Sequence, residues 1–388
     1  MTTVTLVATC LFGLEKYLGE EIDALGCKRL ETMDGRVTFE GDLSAIPRAN
    51  LWLRCAERVF IKLGEGPAHS FTELYDAAKS LPWEDWIGKE DAFPVKGHSV
   101  KSTLFSLPDC QRIIKKAVAK RLENEYGISW FSETGTKYQI EFFLFRDRCS
   151  FLIDTSGIAL HKRGYRPESV AAPLRETLAA AIVYTSRPRE NVLLWDPFCG
   201  SGTIAVEAAM IMSCRAPGAG RRFISESFSN LDASLWKKAR EEAASLVRRT
   251  DFRAAATDID PNAVALTEAN AARAGVGDYV TSFVMDARRI QSPAPGARGT
   301  IVTNPPYGER LMTPEETEVL YREIGRAFTA LDPWQVYLLT SNERFERLYG
   351  RRADKVRKLY NGMIPCYLYQ YFKSEKKRLF SADLGRRS

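Results

Sequence analysis

Histidine is scarce in this sequence. Three occur in 388 residues (His69, His98 and His161), and no two stand close enough for an H-x-x-x-H metal pair. Eight cysteines are scattered along the chain without a C-x-x-C pair. That spacing argues against a disulfide framework and against a cysteine zinc site, so no metal is expected, and it favours a reduced compartment, the cytoplasm. No apolar run approaches a membrane span. The apolar stretch after Met1 has no cationic segment before it, so a signal peptide is not expected. An excess of one charge sign is also missing: Lys plus Arg number 55 against 49 Asp plus Glu, a net charge of +6. This balance permits a nucleic-acid partner without demanding one. With 45% hydrophobic and 27% charged residues, the chain reads as soluble and globular, and its length predicts two or three compact units.

The first segment, residues 1–60, alternates Val4, Leu6 and Ala8 as a strand does. A helical pattern follows through Leu14, Leu18, Ile22 and Leu25, with Gly26 placed as a C-cap. Arg36–Glu40 reads as a second strand after the Asp34-Gly35 turn, and Ile46–Leu53 as a helix, together a small α+β unit. Residues 61–155 form a second expected unit. It has helices over Phe71–Ser80 and through Ile113–Leu122, the latter capped by Asp109 or Ser106, and an antiparallel pair at Tyr138–Phe145 and Cys149–Thr155. From about residue 160 short apolar runs alternate with Ala-rich helical stretches. The runs are Val192–Trp195, Ala254–Thr257, Ser282–Met285, Ile301–Thr303 and Val336–Leu339, all read as buried strands of a parallel α/β sheet. The lysine- and arginine-rich end, 376–388, reads as a basic tail.

The chemistry concentrates at the ends of these runs. Asp196-Pro197-Phe198-Cys199-Gly200-Ser201-Gly202-Thr203 puts a glycine turn between a strand and a helix, where backbone N–H groups meet a ligand. Gly200, Gly202 and Ala205 also fit G-x-G-x-x-A, so a dinucleotide remains open at this point. Asp258 ends the second run, where a carboxylate accepts from ribose hydroxyls. Asp286 ends the third, in reach of an adenine amine, while Asp260, before Pro261, reads as a helix cap and Cys199 as a packing residue. Thr303-Asn304-Pro305-Pro306-Tyr307-Gly308-Glu309-Arg310 ends the fourth. Hydride transfer has no need of Asn-Pro-Pro-Tyr; methylation of an exocyclic amine does. Such an amine is a poor nucleophile because its lone pair is delocalised into the ring. Hydrogen bonds to the Asn304 oxygen and the Pro305 carbonyl orient it, Pro305 and Pro306 fix the backbone, and Tyr307 stacks on an extruded base.

With these motifs in order, the chain resembles the THUMP-domain, S-adenosylmethionine-dependent RNA guanine-N2 methyltransferases, as found for bacterial large-subunit ribosomal RNA. The resemblance rests on DPFCGSGT, TDIDPNA, MDA and TNPPYGER, and on the stretches Asp154–Arg166 and Pro173–Ala179. It implies a class I, Rossmann-like methyltransferase domain with a seven-stranded, mostly parallel sheet over 156–375. A ferredoxin-like unit (1–60) and a THUMP domain (61–155), which in the family binds RNA, precede it. It further implies that Asp196, Phe198, Gly200, Gly202 and Thr203 line the methionine side of S-adenosylmethionine. Asp258 would hold the ribose, Ile259 pack on the adenine, and Asp286 and Ala287 face its edge. Thr177 or Glu176 would touch the methionine end, and Asn304, Pro305, Pro306 and Tyr307 hold the base. Cationic residues His98, Lys101, Arg112, Lys115 and Lys116, with Lys162 and Arg163 of the stretch after Asp154, are the candidates for RNA contact. The basic, Gly-rich stretch Arg215–Phe223 is equally read as a border of the substrate cleft or a plain loop. Ribosomal RNA is the first choice of substrate and transfer RNA the second. An adenine-N6 methyltransferase, a non-catalytic RNA-binding factor and a nicotinamide dehydrogenase are the alternatives.

Overall fold

The computed structural model describes residues 3–167, 174–307 and 312–372. Pro173, the Gly308-Glu309-Arg310 end of the proline motif and the basic tail lie outside them. The chain forms two compact units, and neither follows simple chain order. The first takes the residues up to Cys10, Leu18–Leu160 and Arg221–Glu242; the second takes Leu11–Tyr17, His161–Gly220 and the chain from Ala243.

The first unit is built on one seven-stranded sheet rather than two separate ones. Its elements are β1 (Thr3–Cys10), α1 (Glu15–Ala24), β2 (Lys28–Met33), β3 (Arg36–Asp42), α2 (Ala45–Trp52), β4 (Ala56–Pro67), α3 (Phe71–Lys79), β5 (Val95–Val100), α4 (Leu107–Tyr126), β6 (Ile140–Phe145) and β7 (Arg148–Asp154). The strand order is β2-β3-β1-β4-β7-β6-β5, so the expected ferredoxin-like and THUMP regions share a sheet. Ile140, Phe142 and Leu144 alternate into the core, as do Cys149, Phe151 and Ile153 on β7. Arg36 on β3 lies 4.0 Å over the Phe143 ring on β6 although three strands intervene, which marks a strongly coiled sheet. Ser106 stands at the N-cap position of α4, but its hydroxyl donates to Asp109 (2.5 Å) instead of capping the helix. The segment Arg221–Glu242 packs here too: Phe228 stacks on Tyr138 at 4.2 Å, and Arg221 donates to the carbonyls of Ile158 and Ala159. Arg221 is thereby held by backbone oxygens, and the single methyltransferase unit expected over 156–375 is interrupted.

The second unit carries α5 (Glu176–Ser186), β8 (Leu193–Asp196), α6 (Thr203–Met212), β9 (Ala254–Asp258), α8 (Pro261–Arg273), β10 (Val280–Val284), β11 (Gly299–Thr303), α9 (Pro314–Thr329), β12 (Gln335–Thr340), α10 (Phe345–Tyr349), β13 (Lys355–Asn361) and β14 (Ile364–Tyr371), with α7 (Ala233–Ser245) leading into β9. The strand order β10-β9-β8-β11-β12-β14-β13 is parallel from β10 to β12. β14 then pairs antiparallel with both β12 and β13. This is a Rossmann-like α/β sheet of seven strands. The order reverses between β8 and β11, and at such a switch point the loops leaving neighbouring strands diverge and open a crevice at the carboxyl ends. One expected buried strand departs from its reading: β10 is the sheet edge, with Phe283 and Val284 partly in solvent.

Candidate active site

A cavity of about 940 Å³ opens at that crevice. It is lined from the ends of β8, β9, β10 and β11 by Asp196–Ser201, Thr203, Asp258–Asp260, Asp286–Arg288 and Asn304–Tyr307, and closed by α9 and the β13–β14 turn. The glycine turn is braced from α8. Thr267 donates its hydroxyl to the Gly200 carbonyl (3.1 Å) and Asn270 its amide to the Ser201 carbonyl (2.8 Å). Gly200 and Gly202 both have positive φ. Of these two, Gly200 lines the cavity and Gly202 does not. A Cβ on Gly202 would stand 2.7 Å from Thr267 Cγ2, so this glycine serves helix packing, not ligand approach.

The carboxylates at the strand ends have separate environments. Asp196 is fully buried; it accepts from the Thr303 hydroxyl (2.7 Å) and the Phe198 N–H (3.2 Å). Burial, against those two donors, pushes its carboxyl up to about 7. Asp258 accepts the N–H groups of Gly200 (3.0 Å) and Asp260 (3.1 Å), which ties the glycine turn to the end of β9. Asp260 caps α8 through the Asn262 N–H (2.9 Å). Asp286 is held by the Arg288 guanidinium, which keeps its carboxyl below the usual range. Ile259, between two aspartates, is 65% exposed and lines the cavity, an apolar side chain with nothing else to cover it. Cys199 is buried, with its sulfur 3.4 Å from the Thr267 hydroxyl, and has its thiol pushed up by burial, as befits packing rather than reactivity.

At the end of β11 the Asn304 side-chain oxygen is buried and has no hydrogen-bond partner among the described residues. An amide oxygen in that state is an acceptor awaiting a donor, because leaving it unpaired costs about 1–3 kcal/mol. The loop behind it is pinned. Tyr321, fully buried on α9, donates to the Pro306 carbonyl (2.8 Å) and accepts from the Thr340 hydroxyl (2.9 Å).

A buried ion network lies beneath α5 and α6. Arg163 meets Glu207 at 3.3 Å with both side chains out of solvent, and Arg166 bridges Glu176 (3.0 Å) and the Thr203 hydroxyl (2.7 Å). Arg163 is therefore a buried structural cation and not the RNA contact expected of it. Glu176 and Thr177 are likewise buried and absent from the cavity lining; their neighbours Leu174 and Arg175 take that place.

Residues 163–370 match the family model described as RMKL-like, methyltransferase domain. Residues 5–60 match the RlmL ferredoxin-like domain and 68–154 the THUMP domain. The chain is 45% identical over 380 residues to "Putative RNA methyltransferase YpsC" of Bacillus subtilis, covering 96% of this chain and 97% of that one. The chain belongs to the RMKL-like methyltransferase family. Two solved structures share its whole architecture. One is described as a predicted N6-adenine-specific DNA methylase from Listeria monocytogenes, with a TM-score of 0.90, 43% identity and coverage of 96% of this chain and 97% of that chain. The other, SMU.472, is described as a methyltransferase complexed with SAH, with a TM-score of 0.89, 38% identity and coverage of 97% and 99%.

In this RMKL-like methyltransferase none of the remaining RNA candidates is among the cavity-lining residues; His98, Lys101, Arg112, Lys115 and Lys116 belong to the first unit and Lys162 to the second. His98 on β5 is exposed, 3.7 Å from Glu141; Lys101 follows β5; Arg112 and Lys116 are exposed on α4. Lys115 is committed elsewhere. Its ammonium bonds Glu133 (2.6 Å) and the Phe93 carbonyl and sits 3.6 Å over the Phe93 ring, so it is not presented to a phosphate. Lys162 is exposed beside buried Arg163. Three features went unread in the sequence: the Thr267/Asn270 brace, the α9 wall with Glu315, Glu316 and Glu323, and the β13–β14 turn. Asn361-Gly362 between alternating apolar residues is a hairpin signal that was there to be read.

Proposed function

We propose that this methyltransferase takes the methyl group of S-adenosylmethionine to the N2 amine of a guanosine in RNA, with large-subunit ribosomal RNA as first choice and transfer RNA as second. The buried Asn304 oxygen at the cavity, without a partner among the described residues, carries the reading. It is a fixed acceptor for one amine proton, and the Pro305 carbonyl is the candidate for the other. Together they direct the lone pair outward without a strong base. Tyr321 holds the loop through Pro306 so that this geometry is preset. Tyr307 supplies a face for the extruded base, whose removal from its stack costs a few kcal/mol.

The cavity residues fit the methyl donor. Ile259 offers an exposed apolar surface for the adenine, Asp258 a carboxylate for the ribose, and Asp286 and Ala287 stand at the third strand end. Asp196, Phe198, Gly200 and Thr203 line the side toward the methionine. The donor supplies an electrophilic methyl on a sulfonium. The chain's task is to hold that cation, exclude water and aim the amine. RNA as substrate is supported by the THUMP match and by the name of the Bacillus subtilis relative.

The description of the Listeria structure and the Asn-Pro-Pro-Tyr motif favour adenine N6 as the second reading. Total RNA from cells lacking the protein, methylated in vitro and digested to nucleosides, separates the two by mass spectrometry. N2-methylguanosine is expected. N6-methyladenosine alone would overturn the guanine assignment.

A further inference from the structure

β13 is the edge strand opposite β10 in the second sheet, and it is cationic: Lys355, Arg357 and Lys358 stand on it with no carboxylate up to Asn361. The Lys358 ammonium lies 5.7 Å from the Tyr360 ring centroid, and Phe12 meets that ring edge-on at 5.9 Å. Phe12 reaches this position because Gly13 precedes α1. Gly13 has φ +91°, and a Cβ there would stand 3.1 Å from Leu359 Cδ2 and 3.2 Å from the Lys358 carbonyl. The close approach leaves Phe12 55% exposed beside the lysine. The hairpin then runs to the cavity, which Asn361, Gly362 and Ile364 line. At its apex Met363 is 93% exposed. Lysines alone guard many sheet edges, but an exposed Phe and Met beside them add the apolar faces that such guarding avoids.

Alternating cations and flat or polarisable apolar faces are what a single nucleic-acid strand needs: phosphate neutralisation and base stacking in one track. We propose that the β13–β14 hairpin, with Phe12 laid against it, holds the unpaired nucleotides that flank the methylated base. Lys358 meets a phosphate, Phe12 and Tyr360 receive a base, and Met363 packs on the neighbour of the extruded nucleotide at the cavity rim. This rests on the RNA-methylation reading.

The test uses the full chain, radiolabelled S-adenosylmethionine and total RNA from cells lacking the protein. The double variant Phe12→Ala/Met363→Ala is expected to lose about tenfold in kcat/KM for RNA, the size of a lost base stack. Its SAH affinity by calorimetry and its melting temperature stay at wild-type values, since both side chains are exposed. With a short mixed-sequence RNA oligonucleotide, Lys358→Ala lowers the slope of log affinity against log salt by about 0.7. A double variant within about twofold of wild-type kcat/KM overturns the hairpin assignment. Wild-type label found as N6-methyladenosine overturns only the guanine reading, and the variant ratio still judges the hairpin. Wild-type protein that labels no RNA overturns both.

Discussion

The Asn304 side-chain oxygen and the Asp196 carboxylate show how differently two buried polar groups at neighbouring strand ends are treated. Asn304 is neutral and its oxygen has no partner among the described residues; Asp196 is ionisable and has two donors. Asn304→Ala is expected to lower kcat about 100-fold or more, the scale for removing one preorganised polar group from a reacting centre. SAH affinity should stay unchanged, and calorimetry with single-turnover kinetics checks both. Asp196 has a stability consequence in the ligand-free protein. Its folded-state carboxyl near 7 lies above an unfolded value of about 4, so the native state holds its proton more tightly. The contribution is complete below pH 4 and is lost as pH rises through 7, with an upper bound of about 4 kcal/mol. Asp196→Asn keeps an acceptor for Thr303 and Phe198 and removes the titration. Its melting temperature relative to wild type should therefore rise between pH 5 and pH 8 in the absence of cofactor. A flat difference would show that burial is compensated by groups other than those two donors.

Elements, rather than single residues, give the site its shape. Helix α8 holds the glycine turn with Thr267, Asn270 and the space left by Gly202. Asn270→Ala strands a buried Ser201 carbonyl, and a loss of about 1–3 kcal/mol in stability is expected from urea unfolding, with weakened SAH binding. Gly202→Ala meets both a positive φ and the Thr267 contact, so it is expected to be the more damaging of the two. The periodicity of α8 was readable, but not that its polar face points at carbonyls. Asn and Thr mid-helix read equally as solvent-facing until the turn is seen against them. β4, twelve residues long and central in its sheet, also escaped reading, because Glu57, Arg58 and Lys62 interrupt its apolar pattern. Arg58 is matched by Asp154 at 2.5 Å, a partner 96 positions away.

On the scale of the whole molecule, chain order and compact units disagree. Residues 11–17 join the second unit and 221–242 the first, so each unit is completed by a segment from the other half of the sequence. Because each unit is closed by chain from the other half of the sequence, a single cooperative calorimetric transition is expected for the full chain; two resolved transitions would show the units to be independent. The Arg163–Glu207 pair is buried in the second unit, with both side chains out of solvent. Arg163→Ala leaves Glu207 buried without its cation, and a cost of about 3–5 kcal/mol is expected by chemical denaturation. Lys162→Ala, one residue earlier and exposed, should change stability by no more than about 0.5 kcal/mol.

The motifs alone determined the strand-end chemistry. Glycines, aspartates and Asn-Pro-Pro-Tyr at the ends of successive apolar runs place a ligand at the carboxyl edge of a parallel sheet, because local backbone demands and strand periodicity are short-range properties. Which neighbours of those motifs reach the cavity was decided only in three dimensions. Glu176 and Arg163 turn inward because each finds an opposite charge on another segment, at Arg166 and Glu207. Arg175, between them in the scheme of the sequence, faces the cavity. Lys115 looks like a phosphate contact on a helical wheel and is captured by Glu133 and Phe93. Partners of that kind lie 10 to 44 residues apart, and a linear pattern does not encode charge pairs closed by packing.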